Sequence, residues 1–102
     1  MRISKIIDAV IETAQDLHNA GIMDDITLRE FDAFKLPPVK NYSASDIKRI
    51  RQQNKVSQSV FAAYLNTSLS TIRQWEQNKK HPRGIALKLL SLIEKQGLKI
   101  LA

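Results

Sequence analysis

Apolar residues recur at helical spacing through most of the chain. Ile3, Ile6, Ile7, Val10, Ile11, Ala14 and Leu17 step by three and four, which lines one face of a helix of about four turns. Gly21 is its stop. A second, shorter helix is expected from Thr27, because Thr27 and Glu30 have capping-box spacing and Ile26 with Phe31 occupies the positions of a hydrophobic staple. The stretch "KLPPVKN" then breaks the pattern. Two consecutive prolines fix φ, remove two N–H donors and push Leu36 toward an extended conformation, so residues 36–42 read as a linker.

Helical spacing resumes at Ser43, which has Asp46 three residues on as a capping partner, with Ile47 and Ile50 facing inward as far as about Asn54. Ser57 caps a helix over Gln58 to Leu65 whose inner face holds Phe61, Ala62 and Leu65; Asn66, Thr67 and Ser68 break it. Ser68 caps the next helix, Leu69 to about Gln77, which buries Ile72 and Trp75. Pro82 forbids its continuation, and a last helix follows from Arg83 to Lys95 with Ala86, Leu89, Leu90 and Ile93 inward, ended by Gly97. The tail "LKILA" is apolar enough to pack on its own domain or to pair with another subunit.

Two short helices joined by a three-residue turn, with the small Ala62 at the crossing and Leu65, Ile72 and Trp75 filling the space between, form a helix-turn-helix. A DNA major groove about 12 Å wide accepts an α-helix, so the polar face of the second helix is the reader. Ser70, Thr71 and Gln74 are the hydrogen-bonding residues best placed to read. Trp75, Ile72 and Phe61 are core.

Charge sharpens this division. Residues 1–40 hold five Lys or Arg against seven acids, a net of −2, whereas residues 41–102 hold eleven against three, a net of +8. The second field suits a polyanion such as nucleic acid. Without cysteine there is no disulfide and no thiolate metal site, and His18 and His81 are too far apart to read as a spaced ligand pair. Neither metal nor cofactor is expected. No nucleophile with a nearby His, no acid and base pair and no glycine-rich phosphate loop points to an enzyme. No apolar run of about 18 residues could span a bilayer. Asp8, Glu12 and Asp16 stand where a secretory signal would stay apolar, and anionic lipid would repel them. A cytoplasmic protein without membrane contact is expected.

The segment "SQSVFAAYLNTSLSTIRQWEQNKKHPRG" resembles the helix-turn-helix of the Cro/phage-repressor (Xre) family in its Ser-Gln helix start, Phe-Ala pair, Ser-x-x-Ser-Thr-Ile opening and Trp-Glu-x-x-x-x-x-Pro ending. Asn66 departs from the usual Gly, and Asn tolerates the φ > 0 that such a turn needs. The resemblance implies an all-α fold, a compact helical helix-turn-helix domain over residues 43–102 with an N-terminal helical extension over residues 1–35. It implies base reading by Leu69, Ser70, Thr71, Arg73 and Gln74, with Leu69 either touching a thymine methyl or packing. Ser57, Gln58, Ser68, Asn78, Lys79, Lys80 and Arg83 would hold phosphates.

The wider run "ETAQDLHNAGIMDDITLREFDAFKLPPVKNYSASDIKRIRQQNKVSQSVFAAYLN" onward is similar to the HigA-type antitoxins encoded beside RelE-like toxins. That implies a homodimer that represses its own operon on double-stranded operator DNA and neutralises a basic RelE/HigB-like ribonuclease, with Ile3, Ile7, Val10, Asp16 and Phe31 as contacts to the toxin. The competing reading is a stand-alone regulator whose N-terminal helix serves dimerisation.

Overall fold

The stripe that begins at Ile3 winds into α1 (Arg2–Asn19) in the computed structural model, which describes the backbone of residues 2–102 and the side chains of residues 5–102. All regular structure among the described residues is helical, as expected, and it divides into two compact units between Pro38 and Val39.

In the first unit α1 ends at a left-handed Gly21 (φ +76°), which lets the N–H groups of Ile22 and Met23 turn back to the Leu17 carbonyl at 2.9 and 3.2 Å. Helix α2 (Asp25–Asp32) then runs back along α1. Its cap is Asp24, whose Oδ1 accepts the Thr27 N–H at 2.8 Å, so the start expected at Thr27 lies one turn too late. An ionised carboxylate answers the positive end of a helix better than a hydroxyl. The Thr27 N–H in turn holds the Asp24 carboxyl below the usual carboxylate range. Ile26 is consequently inside the helix and exposed, and the staple expected with Phe31 has no basis. Ile11, Ala14 and Leu28 are buried apolar residues of this unit among those described, and His18 Nε2 meets Asp25 Oδ1 across the turn. A 3₁₀ turn (Ala33–Lys35) leads to Leu36, extended at φ −62° and ψ 127° as the prolines require.

The second unit packs α3 (Ala44–Gln53), α4 (Gln58–Tyr64), α5 (Leu69–Glu76) and α6 (Ile85–Gln96) around Ile47, Ile50, Phe61, Ile72, Leu90 and Ile93. The capping box of Ser43 and Asp46 is complete, with Ser43 Oγ accepting the Asp46 N–H at 3.1 Å and Asp46 Oδ2 accepting the Ser43 N–H at 3.0 Å. Helix α6 starts two residues later than the sequence suggests, because Gly84 takes φ +56° as its N-cap and leaves Arg83 in the preceding loop. Gly97 ends it (φ +80°), and the tail settles the choice between packing and pairing for Leu98, which is buried in the core. Asn54 ties this tail down by donating to the Ile50 carbonyl at 2.8 Å and accepting the Leu98 N–H at 3.2 Å. Tyr42, read from sequence as the end of the linker, is buried in the same core.

Candidate nucleic-acid interface

The turn between α4 and α5 depends on Asn66, which adopts φ +54°, the left-handed conformation expected where the family has Gly. It lets the Thr67 N–H return to the Ala62 carbonyl at 2.9 Å. Ala62 is buried at the close approach of the two helices, and Leu65, Ile72 and Trp75 fill the angle between them. Ser57 and Ser68 cap the two helices through the N–H groups of Val60 and Thr71, and Ser68 Oγ also shares a hydrogen bond of 2.8 Å with Thr71 Oγ1. With Ile72 and Trp75 committed to the core, Ser70 and Arg73 stand exposed on the opposite face and Leu69, Thr71 and Gln74 are half-buried beside them.

Beyond α5 the chain folds back on the helix it has just left. Asn78 adopts φ +61°, and the N–H groups of Lys79 and Lys80 both donate to the Gln74 carbonyl, at 2.9 and 3.2 Å. This fixes the lysine loop to α5. Arg73, Lys79, Lys80 and Arg83 are all exposed, and among the described residues none pairs with an acid. Their charge is therefore open to a ligand, and the side chains of α5, the loop and the start of α4 lie on elements that pack together.

A network that sequence reasoning missed joins α3, α4 and α5. Arg51 donates from Nε and Nη2 to the Glu76 carboxylate at 2.7 and 3.0 Å and from Nη1 to the Val56 carbonyl at 3.1 Å. Gln58 Nε2 donates to Glu76 Oε1 at 3.2 Å, so the residue at the start of α4 is oriented by the end of α5. The hydrogen bonds that Arg51 donates to Glu76 push its guanidinium further up from its ordinary value. No periodicity could show a pair 25 residues apart; the one available signal was Glu76 itself, an acid behind Trp75 in an otherwise basic unit.

The first unit presents a different chemistry. An open groove of about 370 Å³ is lined by Ile6, Ala9, Val10, Leu17, Met23 and Phe31. Val10 and Phe31, both singled out from sequence, are in it; Ile7 is half-buried elsewhere on α1, and the Ile3 side chain lies outside the described residues. Asp16 lines a neighbouring polar cleft with Asp8, Glu12 and Asp32. No helix among the described residues is long and apolar enough to cross a membrane.

Comparison with known proteins agrees with this geometry. Residues 47–93 match the family model described as Helix-turn-helix, a span that opens inside α3 and closes inside α6. Antitoxin HigA-2 of Vibrio cholerae serotype O1 is 34% identical over 92 residues, which cover 90% of this chain and 83% of that protein. The identity thus extends beyond the helix-turn-helix into the acidic unit. The chain belongs to the HigA-type antitoxins, with an Xre-type helix-turn-helix as its DNA-binding domain.

Proposed function

We propose that this protein is an antitoxin and transcriptional autorepressor, which binds operator DNA as a homodimer through α4 and α5 and neutralises a RelE-like ribonuclease through the unit built from α1 and α2. The observation that carries the reading is the division of surface within one chain: unpaired cations on and behind α5, and an acidic helical unit with an open apolar groove. A ribonuclease that binds RNA is basic, so Asp8, Glu12, Asp16, Asp24, Asp25, Glu30 and Asp32 speed its capture while the groove takes an apolar element.

On DNA, Ser70, Thr71 and Gln74 meet base edges, Arg73 reaches a phosphate or a guanine edge with its long bidentate guanidinium, and Leu69 is able to touch a thymine methyl. Ser57, Gln58, Ser68, Asn78, Lys79, Lys80 and Arg83 hold phosphates and fix register. Gln58 retains its amide oxygen and one N–H after bonding Glu76. Two substitutions separate the roles. Gln74→Ala weakens the matched duplex by about 1 to 3 kcal/mol and barely affects random DNA, whereas Lys80→Ala weakens both alike and flattens the salt slope by about one per contact. Equal losses on both duplexes for Gln74→Ala remove it from the reading set.

Size-exclusion chromatography with light scattering, after co-expression with the product of the neighbouring gene, tests the other half. Removing residues 1–35 abolishes the complex and leaves promoter binding intact; undiminished toxin affinity refutes the assignment of this unit. A DNA-binding homodimer with no toxin complex in the full-length protein makes the acidic unit a dimerisation arm instead.

A further inference from the structure

Lys40 and Tyr42, on the segment that leads into the second unit, are strapped to α6. Tyr42 is 4% exposed and donates its hydroxyl to Glu94 Oε1 at 3.0 Å. Lys40 reaches the same oxygen at 3.3 Å with its ammonium 5.0 Å from the Tyr42 ring centre, and Arg49 takes Glu94 Oε2 at 3.1 Å. Burial pushes the Glu94 carboxyl up, but hydrogen bonds from Arg49, Tyr42 and Lys40 outweigh it and hold the group below its ordinary range. Glu94 therefore stays ionised and the strap stays anchored on both sides of Asn41. Asn41 itself is exposed, and among the described residues its side-chain amide makes no hydrogen bond.

Facing Asn41 is the end of the lysine loop. Asn41, Tyr42, His81, Pro82 and Arg83 line a cleft of about 320 Å³. Tyr42 and Pro82 are buried and make its floor; Asn41, His81 and Arg83 are exposed and make its rim. The rim offers an amide NH₂, an imidazole N–H and a guanidinium, and no carboxylate lines the cleft. Such a rim selects an oxyanion. The cleft also continues the loop that the Gln74 carbonyl ties to α5, so its natural occupant is the backbone of a duplex already held there.

We infer that this cleft seats a backbone phosphodiester of bound DNA, with Asn41, supplied by the strap ahead of the helix-turn-helix, as a phosphate contact beside His81 and Arg83. The inference rests on the DNA-binding reading above. It extends the footprint to the residue at which the chain enters the domain, so that the segment joining the two units ends on the nucleic acid.

The test uses the full-length chain and fluorescence anisotropy on two duplexes of equal length, one spanning the sequence upstream of its own coding region and one random. Asn41→Ala weakens both by about tenfold or more, the loss of one hydrogen bond to a charged group, and Asn41→Asp weakens both by more still. Neither changes the melting temperature, since the side chain is exposed and unbonded. Affinity of Asn41→Ala within about twofold of wild type overturns the seat whatever Asn41→Asp does, because a new carboxylate repels a nearby duplex without any contact. A loss confined to the upstream duplex makes Asn41 a base reader and overturns it too. Failure of the wild-type protein to bind either duplex removes the DNA-binding reading and the seat with it, an outcome distinct from the other two.

Discussion

Affinity for promoter DNA falls by about 10⁴-fold between about 50 and 200 mM salt. Arg73, Lys79, Lys80 and Arg83 are the exposed, unpaired cations on α5 and the loop fixed to it. In the proposed dimer they neutralise about eight phosphates, which gives a slope of about −7 in log affinity against log salt. Lys40, Arg49 and Arg51 do not add to this, because Glu94, Asp46 and Glu76 already compensate them. An anisotropy series across that salt range measures the slope directly. Replacing Lys79 and Lys80 together by Ala halves the count and brings the slope to about −4. A slope near −2 in the wild-type protein is incompatible with the assignment, since it leaves most of these cations away from the backbone.

The frame that presents those cations was legible because its caps and its turn are local. Ser43, Ser57 and Ser68 cap the N–H groups three residues on, and Asn66 takes the left-handed turn that its place between two amphipathic stretches demands. Two local signals misled. Thr27 with Glu30 imitated a capping box, while Asp24, a stronger acceptor at the positive end of a helix, took the cap and carried Ile26 inside. Arg83, directly after Pro82, was read as the start of the last helix, but Gly84 with positive φ delayed it and left Arg83 in the loop, where its guanidinium reaches the rim of the strap cleft. What sequence did not show are bonds between distant residues: Tyr42 with Glu94, 52 apart, and Arg51 with Glu76. Tyr42 follows two prolines, a valine and a polar dipeptide, so composition alone assigns it to a linker; only α6 folding back against it makes it core.

Removing the Glu76 carboxylate produces the largest loss of stability expected from a single substitution of a polar residue in the second unit. The side chains of Arg51 and Glu76 are 14% and 5% exposed. Both charges have therefore largely left water, and their two short hydrogen bonds with the Val56 and Gln58 contacts offset that desolvation only while the set is complete. Glu76→Ala strands a guanidinium that cannot lose its proton and destabilises the unit by about 3 to 5 kcal/mol. In a domain of this size each kcal/mol moves the midpoint by several degrees, so thermal melts fall by roughly 15 °C or more. A paired Arg51→Met, Glu76→Leu variant recovers much of the loss, because it removes the buried charge along with its partner. The two effects part on DNA: the paired variant folds but leaves Gln58 without its anchor, so its phosphate contact weakens while the base readers on α5 keep their places. A double variant as unstable as Glu76→Ala would instead put the loss in the packing of α3 against α5, and the network would then be a consequence of the helix angle rather than its cause.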